Sequence, residues 1–268
     1  MKSQFSNSQN QSTNYKDNTL KLLSVVVENK IEEAVDLLLI TSQNNEVKNT
    51  YFSDLINNDD MGIPENVDMN KRDIAKMILN LDNDFGSVYF TMPNADIYMG
   101  EPFSDQKQLK RLNYADREWY NGISSEDNKT YYVSGIFISA SIHKPAISIA
   151  VPVHNNEKNK IIGYWVGILN LHDLTDNINN LYLNKNEYIS IFDQNGTIIA
   201  DSRKDLFSQN KTQINQFNDL DSVREVLDGK KGIKMENVNN FSKLFIYHPI
   251  NTGSHYWGIT YTSTNKLS

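Results

Sequence analysis

Residues 131–171 read YYVSGIFISASIHKPAISIAVPVHNNEKNKIIGYWVGILNL and carry the clearest strand pattern in the chain. Three runs rich in β-branched and aromatic residues, 131–139, 146–153 and 161–171, predict three strands. The polar turn 154–160 is short enough to join the last two as antiparallel neighbours. The segment therefore predicts the core of an antiparallel sheet.

The sequence before this segment predicts a long helix and a hairpin. Apolar residues at steps of three and four predict a helix over residues 14–41, and they are Leu20, Leu23, Val27, Ile31, Ala34, Val35 and Leu38. Further helices are expected at 46–56 and at 71–81, where Asn70 and Asp73 are candidate caps. Residues 87–92 and 96–99 flank the turn Pro93-Asn94-Ala95 and predict a hairpin.

The C-terminal third repeats this order. After a helix predicted at 173–182, residues 188–192 and 197–201 flank Asn195-Gly196, a strong hairpin signal. A helix at 220–227 and strands at 232–235, 243–249 and 256–262 follow. The predicted fold is thus α/β of the α+β kind, with a long N-terminal helix and two tandem PAS-like modules with antiparallel sheets. The expected boundaries are 1–60 for the lead-in and helix, 61–182 for the first module and 183–268 for the second.

Composition excludes several classes of function. The chain of 268 residues has a formal charge of −7, which disfavours a nucleic-acid partner because phosphate binding needs clustered Lys and Arg. It has no cysteine, so disulfides and thiolate chemistry are excluded. No apolar run reaches the length of a membrane span, and we expect any span to lie outside this chain.

Motifs for catalysis and for cofactors are also lacking. The chain contains no nucleotide-binding glycine pattern, no nucleophile elbow and no His-Glu-x-x-His. The five histidines are far apart in sequence. We therefore predict no catalytic residue, no metal site and no cofactor.

A polar, aromatic segment at 101–125 has no strand pattern and is expected to lie over the first sheet. It contains Arg117-Glu118-Trp119-Tyr120. An Arg fork matches a planar carboxylate, and Trp and Tyr supply apolar walls for a small molecule. The alternative is that Arg117 pairs with Asp116 or Glu118 at the surface and that Trp119 is ordinary core.

Several blocks resemble the double Cache sensor domains in order, spacing and composition. The blocks are Arg117-x-Trp-Tyr120, Tyr132–Ser139, Lys144–Val153, Ile162–Gly167 and Tyr188–Asp201. This resemblance covers residues 20–262. It implies an extracytoplasmic domain between two membrane helices of a chemoreceptor or sensor histidine kinase, which binds a small metabolite in its membrane-distal module, 61–182. The module 183–268 would then be membrane-proximal.

The resemblance also implies site residues. Arg117, Trp119 and Tyr120 match positions that hold the ligand carboxylate in amino-acid-binding members. Those members place a Tyr five residues before the Arg, a Tyr-x-Asp on the next strand and an Asp on the last strand, and the two acids hold the ligand ammonium. This chain has Leu112, Phe137-x-Ser139, and Ile168 or Leu169 there, with Asn170 as a neutral substitute.

We therefore expect the ligand to be a small carboxylate or a neutral polar ring and not a standard amino acid. Two other classes of function stay open, an enzyme with a group converging on Arg117 and a ligand-free structural domain. A homodimer in the intact receptor is a further expectation, from the apolar stripe of the long helix. The sequence does not specify the output domain.

Overall fold

The computed structural model describes residues 2–125, 129–140, 145–155, 160–170, 178, 181, 183–203, 220–238 and 241–266. The chain divides into two compact units, one of residues 32–171 and the other of residues 1–31 with 172–268. Which unit lies farther from a membrane stays a prediction.

Helix α1 spans Lys2–Ser42 and supplies residues to both units. The predicted apolar stripe is confirmed as its buried face, since Leu20, Ala34 and Leu38 are fully buried. The predicted start near residue 14 is wrong by about three turns. Residues 2–13 are mostly polar, and their apolar residues do not recur at steps of three and four, so the sequence pattern does not predict a helix there.

The unit of residues 32–171 is built on one antiparallel sheet in the order β2-β1-β6-β5-β3, with β4 also paired to β5. Its strands are β1 (Phe85–Thr91), β2 (Ile97–Glu101), β3 (Tyr132–Val133), β4 (Phe137–Ile138), β5 (Pro145–His154) and β6 (Ile161–Asn170). The β5–β6 pairing confirms the predicted antiparallel pair.

The single strand predicted over 131–139 is wrong, because β3 and β4 are separate two-residue strands. Between them the amide of Gly135 donates to Glu118 Oε1 at 3.1 Å. The Ser134 hydroxyl oxygen accepts a hydrogen bond from the Ser148 amide at 2.9 Å. Side-chain oxygens thus replace ladder carbonyls at this point and interrupt the strand.

The two faces of this sheet are covered by different elements. On one face Trp165 Nε1 donates to Thr41 Oγ1 of α1 at 3.1 Å, and Lys71 of α2 (Met69–Leu81) lies 4.3 Å from the Phe90 ring centroid. On the other face Tyr164 contacts Trp119, with ring centroids 5.9 Å apart. Neighbouring residues of a strand point to opposite faces. The later part of residues 101–125, with helix α4 (Glu118–Ser124), therefore covers the second face as predicted, and Leu109, Tyr114 and Trp119 belong to it. Helix α3 (Phe103–Lys107) is bonded through Gln106 to Arg72 of α2. Residues 101–125 are called the cover below.

Two local predictions are wrong. Residues 46–56 form turns and a 3₁₀ helix at Ser53–Leu55 instead of an α-helix. Helix α2 begins at Met69, so Asn70 and Asp73 lie inside it and do not cap it. The preceding Asp68 has φ 53° and makes no capping bond; its carboxylate accepts the Tyr98 hydroxyl at 2.7 Å.

The other unit repeats the same strand order. Its sheet runs β8-β7-β11-β10-β9, from β7 (Glu187–Phe192), β8 (Ile198–Asp201), β9 (Gly232–Val238), β10 (Phe241–Asn251) and β11 (Tyr256–Lys266). Helix α5 (Asp221–Leu227) packs on it. In both sheets a hairpin pairs with the last strand, so the predicted tandem architecture is confirmed. The helix predicted at 173–182 lies outside the described residues, apart from residues 178 and 181.

A buried cation fixes the start of the cover. Arg72 of α2 is fully buried and pairs with Glu101 at 2.8 Å, and it also donates to Gln106 Oε1 of α3 at 3.2 Å. Its remaining bonds go to four backbone carbonyls, those of Ile63, Pro64, Val67 and Gly100. One side chain thus joins α2, the loop before it, the end of β2 and α3.

We predict that Arg72→Met lowers the free energy of unfolding by about 3–5 kcal/mol, because it leaves Glu101 as an uncompensated buried charge. Urea denaturation measures this. The matched control is Arg111→Met, which breaks an exposed pair with Asp116 and should change stability by less than about 0.5 kcal/mol. Equal losses for the two variants would refute the role given to Arg72.

Candidate functional site

A cavity of about 220 Å³ lies between the second face of the first sheet and the cover. It is smaller than the ~300–1,000 Å³ of sites for drug-sized ligands, so its volume suits a small metabolite. Its lining combines aromatic, aliphatic and hydroxyl side chains: Tyr89, Thr91, Ile97, Leu109, Tyr114, Asp116, Arg117, Glu118, Trp119, Ser134, Phe137, Ser139, Ala140, Ser148, Val166 and Ile168.

The floor of the cavity comes from alternate positions of three strands. Tyr89 and Thr91 belong to β1, Ser148 to β5, and Val166 and Ile168 to β6. The pairing of β6 with β1 places Val166 opposite Tyr89, and its pairing with β5 places Ile168 opposite Ser148. Because side chains two residues apart share a face, these five residues line one surface.

Arg117 enters the cavity from the cover. It is the residue before α4, and its guanidinium lies 5.8 Å from the Tyr114 ring centroid and 5.6 Å from that of Phe137. Within the described parts of the chain it makes no hydrogen bond to a side chain and has no acid within 4.0 Å. The alternative of a surface ion pair with Asp116 or Glu118 is therefore wrong for this structure. The Arg117 guanidinium therefore lies beside two aromatic rings of the cavity lining, those of Tyr114 and Phe137.

The two acids beside Arg117 are engaged elsewhere. Asp116 is paired with Arg111, whose hydrogen bond holds the pKa of that carboxyl below its usual range. Glu118 Oε1 accepts the Tyr132 hydroxyl at 3.0 Å and the Gly135 amide. Burial, with the Glu118 charge as a second cause, raises the pKa of Tyr132, so this phenol stays a hydrogen-bond donor at neutral pH.

Comparison with protein families identifies the domain. The model of the Cache domain family matches residues 5–266. The chain belongs to this family. Cache domains of this type are extracytoplasmic sensor and ligand-binding domains of receptors, and the family is not one of known enzymes. The comparison with curated proteins found no match.

Solved structures with the same fold include three sensor domains. The ligand-binding domain of the Pseudomonas fluorescens chemoreceptor CtaA, in complex with L-isoleucine, has a TM-score of 0.64 at 16% identity over 98% of this chain and 96% of that chain. The ligand-binding domain of Pseudomonas aeruginosa PctB with L-Arg has a TM-score of 0.64 at 16% identity, over 94% of both chains. The extracellular domain of a proposed histidine kinase, rpHK1S-Z16, has a TM-score of 0.69 at 12% identity, over 96% of both. At these identities the likeness shows the fold alone.

The cavity of this Cache domain brings together five of the eight residues expected from the sequence, Arg117, Trp119, Phe137, Ser139 and Ile168. The other three have different surroundings. The Tyr120 hydroxyl donates to the Pro93 carbonyl at 2.9 Å, the Leu112 carbonyl accepts the Ile97 amide, and the Asn170 amide donates to the Asp84 carbonyl. The described cavity lining lacks these three residues, and whether any of the eight binds a ligand stays a prediction.

Sequence reasoning missed the polar residues of the floor. Thr91 and Ser148 are 1% and 0% exposed; Thr91 is the last residue of β1, and Ser148 lies within an apolar run of β5. A hydroxyl at an inward position of a buried strand is the signal that could have identified them. In the described ranges no three His, Cys, Asp or Glu converge as a metal site, and no described helix is long and apolar enough to cross a membrane.

Close packing of α4 on β3 supports one side of the cavity. A Cβ at Gly122 would overlap the Tyr132 ring. Gly→Ala normally stabilises a helix by about 1 kcal/mol, but here we predict that Gly122→Ala lowers the free energy of unfolding by about 1–2 kcal/mol. A double-mutant cycle with Tyr132→Leu, read by urea denaturation, checks the cause. If Gly122→Ala stabilised the domain with Tyr132 present, the packing assignment would be wrong.

Proposed function

We propose that this Cache domain is the extracytoplasmic sensor of a transmembrane receptor, a chemoreceptor or a histidine kinase, and that it binds a small carboxylate in the cavity at Arg117. The observation that carries the proposal is a guanidinium at a half-open, largely apolar cavity without an acid partner among the described residues. A neutral polar ring stacked on Trp119 is the second kind of ligand that this lining suits.

The charge of Arg117 favours an anion. Its planar fork offers paired N–H donors that match a carboxylate, and the hydrogen bonds are strengthened by charge. Tyr114 and Phe137 lie beside the guanidinium and restrict its hydration, which increases the electrostatic gain on binding. Trp119 is 6% exposed and supplies a flat apolar wall for the rest of the ligand.

An amino acid would lack a partner for its ammonium. Phe137, Ser139 and Ile168 bring no charge to the described lining. The acids of the cover, Asp116 and Glu118, already hold other groups. An ammonium buried without a counter-charge costs several kcal/mol, so an amine-free acid binds better. In this respect the proposed ligand differs from the L-isoleucine and L-Arg of the two chemoreceptor complexes.

Sensing requires different affinities for two states of the domain. A ligand bound under the cover stabilises the closed state of the domain. The ratio of closed to open domains can shift by no more than the ratio of the ligand's affinities for the two states. Coupling of about 1–3 kcal/mol is typical of such devices. Membrane attachment through flanking helices and a homodimer in the intact receptor are parts of this proposal.

Arg117→Ala should weaken carboxylate binding and leave the fold intact, because a partly buried Arg without an ion pair contributes little to stability. Calorimetry with 3-phenylpropanoate, 4-methylpentanoate and succinate measures the change, and the loss should be about 10–100-fold for the acid that binds best. Lys107→Ala removes an exposed cation of the cover that pairs with Asp60 and is not among the lining residues; it is the matched control and should bind normally. Unchanged affinity in Arg117→Ala would remove Arg117 from the site.

Pairs of amino acids and their deaminated analogues test the absence of an ammonium site. We predict that 4-methylpentanoate and 3-phenylpropanoate bind at least about tenfold more tightly than leucine and phenylalanine, since neither pays for ammonium desolvation. Circular dichroism at each titration endpoint confirms that the fold is unchanged. Micromolar binding of an amino acid with a silent deaminated partner would contradict the proposal.

A further inference from the structure

Asp116 belongs to the cavity lining, but its charge is paired with a residue that does not. Its carboxylate accepts a hydrogen bond from the Arg111 guanidinium, and Arg111 is not among the described lining residues. The Asp116 side chain is 63% exposed and the Arg111 side chain is 47% exposed. Because close packing fixes neither side chain, the ion pair sets the direction of the Asp116 carboxylate.

The backbone around Asp116 is attached to the hairpin of β1 and β2. The Arg117 amide donates to the Tyr114 carbonyl at 3.1 Å, and the Tyr114 amide donates to the Ala95 carbonyl at 3.0 Å. Rotation of the Asp116 side chain about its Cα–Cβ bond exchanges staggered positions and breaks neither of these bonds. The carboxylate can therefore change direction while the turn that carries it stays in place.

Two cations lie near this carboxylate. The Arg111 guanidinium is 4.8 Å from the Tyr114 ring centroid, and the Arg117 guanidinium is 5.8 Å from the same centroid. The hydrogen bond from Arg111 is the largest cause that lowers the pKa of the Asp116 carboxyl, and the Arg117 charge is a smaller one. In the absence of Arg111, Arg117 is thus the cation to which Asp116 is attracted.

The direction of the Asp116 carboxylate affects two kinds of ligand in opposite ways. While Arg111 holds it, Arg117 keeps its charge for a ligand carboxylate, and a ligand ammonium finds no counter-charge in the described lining. Once released, the carboxylate competes with a ligand carboxylate for Arg117, and it can also accept a ligand ammonium. Both effects favour an amino acid over the corresponding amine-free acid.

We propose that Arg111 is a specificity-determining residue, because it holds the Asp116 carboxylate away from Arg117 and so keeps the cavity selective for acids without an amine. Arg111 acts through Asp116 and is a positioning residue. This inference rests on the proposed function, in which Arg117 binds the ligand carboxylate. It predicts that loss of the Arg111 cation moves the preference of the site toward amino acids.

A double-mutant cycle of Arg111→Met and Asp116→Asn tests this role. Calorimetry measures the affinity of the wild-type domain, both single variants and the double variant for 4-methylpentanoate and for leucine. We expect Arg111→Met to shift the ratio of the two affinities about threefold to fivefold toward leucine, since an exposed ion pair contributes little free energy. In the Asp116→Asn background, Arg111→Met should leave the ratio unchanged, because the carboxylate that it would release is gone.

Two further variants separate the position of this cation from charge in general. Arg111→Lys keeps a cation at the same place and should retain most of the wild-type ratio. Lys107→Met removes an exposed cation of the cover that is paired with Asp60, and it should leave the ratio unchanged. Thermal melts of all variants show that the fold is kept.

The outcomes separate the inference from the proposal on which it rests. If Arg111→Met leaves the ratio unchanged, or if Lys107→Met shifts it equally, the inference is overturned while carboxylate binding stands. A shift that persists in the Asp116→Asn background means that Arg111 acts through its contact with the Tyr114 ring, and this too overturns the inference. Failure of every acid to bind the wild-type domain overturns both.

Discussion

Burial of the Arg72 guanidinium is the constraint on which the unit of residues 32–171 depends. A fully buried cation is tolerated only when charge and hydrogen bonds surround it, and here Glu101, Gln106 and four backbone carbonyls do so. Those partners come from α2, the loop before it, β2 and α3. The chain therefore leaves the end of β2 in a fixed direction, with α3 held against α2.

The electrostatics of the cavity follow from how the cover is anchored. Asp116 and Glu118 flank Arg117 in sequence, and both would neutralise it if they turned inward. Arg111 holds the first, and Tyr132 with the Gly135 amide holds the second. The same Gly135 contact interrupts the strand between β3 and β4. One set of hydrogen bonds thus shapes the sheet edge and leaves Arg117 without an acid partner among the described residues.

Much of the fold could be predicted from the sequence, because the spacing of apolar residues and the residue types of a turn depend on neighbouring residues alone. The spacing of apolar residues from Leu20 to Leu38 predicted the buried face of α1. The dipeptide Asn195-Gly196 predicted the hairpin of the second sheet. The tandem repeat followed from element order. The errors at 46–56 and 131–139 lie where side chains from other segments bond to the backbone. Glu118 accepts the Gly135 amide, and Lys71 Nζ donates to the Asn49 carbonyl. For the site, Arg117 and Trp119 could be predicted as cavity residues, whereas Tyr120 of the same motif lies outside the described lining. Thr91 and Ser148 emerge only when the strand pairing shows which face they share.

Identification of a ligand retained through purification tests the central claim most directly, that this Cache domain holds a small carboxylate without an amine at Arg117. Native mass spectrometry of the purified domain, followed by a crystal structure at a resolution that shows the cavity density, provides it. We expect an organic acid whose carboxylate contacts the Arg117 guanidinium and whose remaining atoms lack a charged amine. An α-amino acid in the cavity, or a cavity closed by Phe137 and Trp119 with no room for a ligand, would contradict it.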